Sequence, residues 1–365
     1  MSKQKLKVGI VGLQRGQNLV NALATHPNLE VAAVCDIDQK ALAANGDAFS
    51  LDDSRRFTNF DDLAASDVDV IAIATPIALH AAQTVTALDA GKHVLCEQTQ
   101  AYTVAECQSI IDAEKRSGRT YMMAENYTYF HYFTEWKKHI ENGELGHLFY
   151  AEAEYLHEIT DLMVDPVSGE RRWRYTRPPI YYCAHTLGPL LTLMNDRVVK
   201  ATGVHSGQTR FPEQEGEGFL DMEVALFQTE KGRVIKILRS QVAPRHPDLV
   251  WYSLHGTNGF IENGRTASYG NASKGLFFST KTMKEDPGAQ EIVCDTADPN
   301  APEGARVGAH GTSEFYLVRD FVDCLLTGRR APIDAVRASE FTIPGIIAHE
   351  SAKQGGAWLD VPQLS

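Results

Sequence analysis

No stretch of this chain approaches the roughly 18 consecutive apolar residues of a bilayer-crossing helix. Positive charge is also in short supply. Lys and Arg number 35 against 47 Asp and Glu, a formal net charge of −12, which argues against nucleic acid or an anionic membrane as partner. The six cysteines (Cys35, Cys96, Cys107, Cys183, Cys294, Cys324) are scattered, mostly in apolar settings, and form no C-x-x-C pair. Likewise His157, His185, His205, His246 and His310 lack short ligand spacing, so the sequence predicts reduced thiols and no metal site. Met1–Lys7 is polar and basic and runs straight into an apolar strand, which does not read as a secretory leader. Together these features point to the cytoplasm. Internal repeats and low-complexity segments are absent as well. What remains is 365 residues with 43% hydrophobic and 22% charged content, the composition of an ordinary globular protein with about two domains.

The most informative stretch is Lys7-Val8-Gly9-Ile10-Val11-Gly12-Leu13-Gln14-Arg15-Gly16. An apolar strand breaks at glycines and passes into the helix-compatible Gln17–Thr25, so free N–H groups and a positive dipole end face the turn, as suits a phosphate. Gly12 and Gly16 are in place, but Gln14 stands where G-x-G-x-x-G has its second glycine. A second apolar strand, Leu29–Cys35, ends on Asp36, 24 residues beyond Gly12. That is close to the ~20 residues at which an acidic side chain meets a ribose hydroxyl in dinucleotide folds. The stretch predicts a dinucleotide site, with NAD as the cofactor.

Along the chain, helix Gln39–Phe49 precedes a connector with a short helix, Phe57–Leu63. Asp69–Thr75 is a continuous apolar strand of the kind buried on both faces of a parallel sheet. It stops at Pro76, and His80–Ala90 reads as a helix closed by Gly91. His93–Glu97 is the next strand. Thr103-x-x-Glu106 is a capping box opening a helix to Ser117, with Gly118 beyond it, and Thr120–Ala124 is a further strand. This alternation predicts a doubly wound parallel sheet over residues 1–126.

After residue 126 the pattern changes. A helix, Phe133–Ile140, is followed by long strands at Leu148–His157, Val198–Gln208, Gly218–Thr229, Arg233–Val242 and Leu249–His255, with a turn at Lys231-Gly232. A polar, Pro- and Gly-rich loop over Glu285–Gly311 follows, then helices Ser313–Leu326 and Val336–Gln354. The expectation is an α+β domain over 127–365 with a large open mixed or antiparallel sheet, its last helix (about 336–354) packing back on the first domain.

Three segments resemble the Gfo/Idh/MocA family of sugar oxidoreductases: Thr75-Pro76 with His80, then Val94-Leu95-Cys96-Glu97, and the two-domain order itself. The resemblance implies a Rossmann domain, a large open sheet and assembly as a homodimer or homotetramer. Where the family reads Glu-Lys-Pro, this chain has Glu97-Gln98-Thr99, so the lysine that polarises the reacting hydroxyl is replaced by an uncharged amide. Tyr181 stands where the family has an aspartate four residues before its catalytic histidine. The glycine turn is one residue shorter than the family's, which leaves Arg15 near the phosphates.

Within that family, Met122-Met123-Ala124-Glu125-Asn126-Tyr127 resembles the M-M-x-E-N segment of NAD-dependent glycoside hydrolases such as the α-N-acetylgalactosaminidases. Tyr155-Leu156-His157-Glu158, Trp173-Arg174, Tyr182-Cys183-Ala184-His185-Thr186-Leu187-Gly188-Pro189, Ala309-His310-Gly311 and Pro344-Gly345-Ile346 match the same branch in order. The resemblance implies cofactor contacts from Gly12, Gln14, Arg15, Gly16, Asp36, Thr75, Pro76, His80, Glu97, Gln98 and Asn126. It implies sugar contacts from Glu125, Trp173, Arg174 and His310.

Residue chemistry narrows the catalytic set. Glu125 and Asn126 end a parallel strand on its carboxyl side, where open α/β sheets place ligands, which favours a site role for Asn126 over that of a turn residue. Tyr182 and His185, three apart on a helix, would share a face, and a phenol beside an imidazole makes an acid/base pair. His157, at the end of a strand, reads either as an acid or as part of a solvated loop with Glu158 and Asp161. Tyr127, Tyr129 and Tyr132 read as packing groups. Arg171 and Arg172 read as a solvated basic loop, and Trp173 with Arg174 as a lid over the sugar.

The chemistry implied is oxidation of a ring hydroxyl, at carbon 3, which acidifies the hydrogen on carbon 2. A base such as Tyr182 or His185 removes that proton, the aglycone leaves carbon 1, water adds, and the ketone is reduced so that NAD is regenerated. A sugar dehydrogenase that stops after hydride transfer uses the same residues. A dinucleotide-binding sensor would account for Gln14 and Gln98. For the cofactor itself, Asp36 accepts hydrogen bonds from ribose hydroxyls and repels a 2′-phosphate. Titration should therefore show NAD binding well ahead of NADP, and Asp36→Ala should relax that preference; equal binding of the two by the wild type would refute it.

Overall fold

The computed structural model describes residues 5–14, 16–266, 273–283 and 288–365. The chain divides into two compact units: Met1–Asn126 with Pro299–Ser339 and Leu364–Ser365, and Tyr127–Asp298 with Glu340–Gln363. None of the described helices is long and apolar enough to cross a membrane.

In the first unit, strands β1 (Leu6–Val11), β2 (Leu29–Cys35), β3 (Arg56–Phe57), β4 (Val70–Ile73), β5 (His93–Glu97) and β6 (Tyr121–Ala124) alternate with helices α1 (Gln17–Thr25), α2 (Gln39–Ala48), α3 (Phe60–Ala65), α4 (Ile77–Asp89) and α5 (Val104–Ser117). The strands pair in parallel in the order β3-β2-β1-β4-β5-β6. Every residue of β4 and β6 is buried, as two helix-covered faces require. The capping box of α5 forms as its sequence predicts. Thr103 accepts the Glu106 N–H, Glu106 Oε2 accepts the Thr103 N–H at 2.9 Å, and Gly118 ends the helix at φ +64°. Helix α4 begins at Ile77, three residues before the expected start, because Pro76 lies at its N-cap, where no N–H is missed.

The second unit opens with helix α6 (His131–Glu141), then strand β7 (Leu148–Leu156) and helix α7 (Ala184–Met194). Strands β8 (Val198–His205), β9 (Glu223–Thr229), β10 (Val234–Ser240), β11 (Leu249–Gly256), β12 (Gly259–Glu262), β13 (Ser273–Ser279), β14 (Gln290–Cys294) and β15 (Leu359–Asp360) follow. Together with β7 they order as β14-β13-β12-β11-β7-β10-β9-β8-β15. The sheet is mixed: β7 and β10 run parallel, and its other described pairs are antiparallel.

Two expectations need correction here. The strand expected from Gly218 starts at Glu223, because Glu217–Phe219 coils as a short 3-10 turn. The expected loop Glu285–Gly311 contains β14, which is exposed along most of its length and owes its strand state to pairing with β13. Residues 285–287 of that loop lie outside the described residues.

The remaining helices are α8 (Ser313–Thr327) and α9 (Ala335–Lys353). It is α8, rather than the last helix, that lies wholly in the first unit, where it packs on α1. Helix α9 starts in that unit, held by Gln100 Nε2 donating to the Ala335 carbonyl at 2.9 Å, and then enters the second. There Gly345 lets it pass Ile180 and Cys183, since a Cβ would stand 2.5 Å from the Ile180 oxygen and the Cys183 sulfur.

Further along α9, His349 Nδ1 lies 2.7 Å from Glu223 Oε1, and both residues are 2% exposed. Burial alone would lower the imidazole pKa. The hydrogen bond and charge of Glu223, with the charge of Glu217, outweigh it and raise the value above the ordinary range. A raised histidine stabilises the fold fully below its unfolded pKa of about 6.5 and loses that contribution as pH rises through the folded value. The melting temperature of the wild type should therefore exceed that of His349→Gln most at mildly acidic pH. The gap should narrow above neutrality; a gap that is constant or widens with pH contradicts this assignment.

Candidate active site

At the carboxyl end of β1 the chain turns at Gly12, whose φ is +87°. A Cβ there would stand 2.5 Å from the Ala74 carbonyl, and one at Gly16 would stand 2.5 Å from the Ala74 Cβ. Only glycines let the turn pass this close to the end of β4. Helix α1 starts immediately after, with no acidic residue in its first turn and no side-chain cap on its N–H groups. Asp36, just past β2, closes the cradle: Leu13 N–H donates to Asp36 Oδ2 at 2.7 Å and Asp38 N–H to Asp36 Oδ1 at 2.9 Å. Gln14 is exposed, and its Nε2 donates to Asp38 Oδ2 at 2.7 Å, so the side chain swings off the turn. Arg15 lies outside the described residues. A glycine cradle, an uncapped helix start and a carboxylate at the end of β2 are the donor set that an NAD pyrophosphate and ribose require.

Two expected cofactor residues are buried and make contacts within the protein. His80 is 1% exposed, with Nδ1 2.8 Å from the Thr99 carbonyl oxygen and Nε2 2.9 Å from the Thr75 carbonyl oxygen. It ties the ends of β4 and β5 together from below. Gln98 is buried, and Thr99 Oγ1 donates to its Oε1 at 3.0 Å. Thr75 and Pro76 stay partly exposed where β4 leads into α4.

The first unit also gathers a carboxylate cluster from three elements: Glu97 from β5, Glu125 and Asn126 just after β6, and His310 with Glu314 at the start of α8. Asn126 Nδ2 donates to Glu314 Oε1 at 2.9 Å, and His310 Nδ1 donates to the same oxygen. Burial works to raise Glu314, but the hydrogen bond and charge of His310 win and hold its carboxyl below the usual range. Burial, then the neighbouring Glu314 charge, pushes Glu97 up to about 7 against the pull of His310. Asn126 and His310, read from sequence as contacts to different ligands, thus belong to one hydrogen-bonded group. Glu125, expected to touch sugar, is fully enclosed in this structure.

In the second unit the expected acid/base residues converge, with a different pairing. Tyr155 Oη lies 3.0 Å from His157 Nδ1, and His157 Nε2 lies 3.3 Å from Asp248 Oδ2. With the Nε2–H directed at the carboxylate, Nδ1 faces the phenol as an acceptor. Tyr127 Oη donates to Tyr155 Oη at 3.4 Å, and the Tyr127 ring stacks on His185 at 3.8 Å. Tyr182 sits in a 3-10 turn, Pro179–Tyr182, and meets His185 edge-on at 5.0 Å. Trp173 and Arg174 form their own short turn, with the Arg174 guanidinium 4.0 Å over the indole. That turn lies on Gly218, where a Cβ would fall 2.3 Å from the Arg174 carbonyl oxygen.

Sequence reasoning missed Tyr155, Asp248, Glu314 and two arginines, Arg177 and Arg239. A signal existed for Tyr155, since residues two apart on a strand share a face and His157 was already a candidate. Asp248 and Arg239 reach the cluster only through long-range strand pairing, whereas Arg177 lies in the loop just before the Tyr182 turn. Among the described residues no group of three or more His, Cys, Asp or Glu could hold a metal ion, and all six cysteines are buried free thiols.

Comparison with known proteins places this geometry. A family profile described as an oxidoreductase family with an NAD-binding Rossmann fold matches residues 6–125, and its companion, a C-terminal alpha/beta domain, matches residues 137–360. A glycosyl hydrolase family 109 protein of Shewanella putrefaciens is 27% identical over 406 residues, covering 99% of this chain and 85% of its own. One from Streptomyces filamentosus is 27% identical over 395 residues, covering 100% of this chain and 78% of its own. Among solved structures, levoglucosan dehydrogenase in complex with NADH shares the fold, with a TM-score of 0.82 at 19% identity over 99% of this chain and 100% of that one. The chain belongs to the Gfo/Idh/MocA oxidoreductase family, and its first domain is that family's NAD-binding Rossmann domain.

Proposed function

We propose that this protein is an NAD-dependent glycosidase that cleaves its substrate by oxidation, elimination, water addition and reduction. The observation that carries the reading is the Tyr155–His157–Asp248 line in the second unit. NAD held by the Gly12–Gly16 turn and Asp36 would supply the hydride acceptor for the carbinol carbon and the hydride for the closing reduction. The chain's own residues handle the protons. Tyr155 passes its hydroxyl proton to His157 Nδ1, and Asp248 balances the imidazolium that forms. The phenolate then takes the acidified hydrogen of carbon 2 as the bond from carbon 1 to the aglycone breaks. A tyrosine with an ordinary pKa of ~10 needs this kind of help to act near neutrality. Tyr182 and His185 flank that base and suit contacts to the sugar hydroxyls and the leaving group.

The glycosyl hydrolase names of the full-length relatives support cleavage over simple oxidation. A homodimer or homotetramer in the cytoplasm accompanies the reading. The sheet face that carries Val204, Leu226 and Val234 leaves these apolar side chains exposed, which suits such an assembly.

The test is a panel of chromogenic glycosides followed for aglycone and NADH together. The expected result is aglycone release with no net NADH, cut by about 100-fold or more in Tyr155→Phe. NADH accumulating in step with a sugar would make the protein a dehydrogenase. Neither signal, with nucleotide still bound, would leave a dinucleotide-binding sensor.

A further inference from the structure

Arg239 on β10 is 1% exposed and makes no ion pair among the described residues. Its Nη1 donates to the Tyr155 carbonyl at 2.9 Å and the Ser240 carbonyl at 3.1 Å, while Nε is buried with no acceptor. The guanidinium carbon stands 3.9 Å over the ring of Tyr155 and 5.3 Å from the ring of Tyr182. The placement follows from register. Arg239 pairs with Tyr155 of β7 on one side and with Glu223 of β9 on the other, and all three point to the helix-covered face. The nearest candidate counter-ion, Glu223, is taken up elsewhere, accepting the Ile180 N–H at 2.7 Å and facing His349 at 2.7 Å. A buried cation without a carboxylate is costly unless something nearby becomes negative.

We propose that Arg239 is the positioning residue that makes Tyr155 a base: its charge favours the phenolate form of Tyr155, and its plane fixes the ring that carries it. The step is a proton transfer and balances within the chain. The O–H bond of Tyr155 breaks, an N–H bond forms at His157 Nδ1, and the two new charges face Arg239 and Asp248. Asp248 and Glu158, the carboxylates beside His157, oppose a phenolate, and the other groups named here assist it or are neutral. His157 accepts the proton, the Tyr127 hydroxyl can donate to the oxygen at 3.4 Å, and His185 and Tyr182 stand close by as rings. Arg177 adds a second cation, 4.2 Å over Tyr182. Two of the negative groups have partners of their own, Asp248 in His157 and Glu223 in His349. Loss of the Arg239 charge would also ease the burden of enclosing it, which is why its effect belongs in the ionisation of Tyr155 and not in stability alone.

The inference rests on the reading of Tyr155 as the base, and its test needs no substrate. Tyrosine ionisation is followed by ultraviolet difference titration, and by NMR of tyrosine ring carbons, in the full-length protein. The expected result is one tyrosine titrating well below the ordinary ~10. It should be missing from Tyr155→Phe and displaced upward by roughly 1 to 3 pH units in Arg239→Met and Arg239→Gln. Arg239→Gln retains a donor for the two carbonyls, which keeps the question open to measurement if Arg239→Met does not fold. Arg239→Lys should restore most of the low titration. The proposal is overturned if the wild type has no low-titrating tyrosine, if that tyrosine survives in Tyr155→Phe, or if the neutral variants leave it unmoved. A low titration that behaves as expected in a protein with no activity on sugars would remove the proposed function and leave the Arg239 effect standing.

Discussion

A guanidinium enclosed without a carboxylate constrains much of the second unit. Arg239 occupies its place because β7, β10 and β9 pair in one register, which sets Tyr155, Arg239 and Glu223 in a row on the face covered by helices. Glu223 would quench the charge were it not bound to His349 of α9 and the backbone of the turn that carries Tyr182. The last long helix thus does electrostatic work as well as packing. By holding Glu223 it leaves the arginine facing two tyrosine rings. The close passage of Gly345 past Ile180 and Cys183 is the steric condition for that arrangement.

The first unit depends on a different constraint, the space above Ala74. Gly12 and Gly16 are needed because the turn after β1 packs against the end of β4, whatever ligand is bound. The Asp36 carboxylate holds the same turn through the Leu13 N–H. This explains why Gln14 is tolerated in the glycine signature. Its side chain leaves the turn for Asp38, and the cradle is defined by the flanking glycines and the acid.

Much of this fold was legible in the sequence because its signals are local. Apolar runs such as Val70–Ile73, the Thr103–Glu106 capping box and the alternation of strand with helix each act over a few residues. Strand β14 was not legible, since its exposed residues carry no pattern and its partner supplies the hydrogen bonds. The site divides in the same way. Gly12, Asp36, Tyr182 and His185 stood out by motif, and His157 by its place at a strand end. Asp248 and Arg239 lie 91 and 82 residues beyond His157, and the pairing of β7 with β11 and β10 is what brings them near. His80 and Glu125, which also stood out by motif, are buried, a placement that no local pattern signals.

The proposed function turns on removal of a carbon-bound proton by a base in the second unit while NAD is recycled. Turnover of a cleavable glycoside in heavy water, with the released sugar analysed by mass spectrometry and NMR, tests that claim most directly. Deuterium incorporated at carbon 2 of the product, with no net NADH, is the predicted result. Cleavage at full rate with the original hydrogen retained at carbon 2 would contradict it.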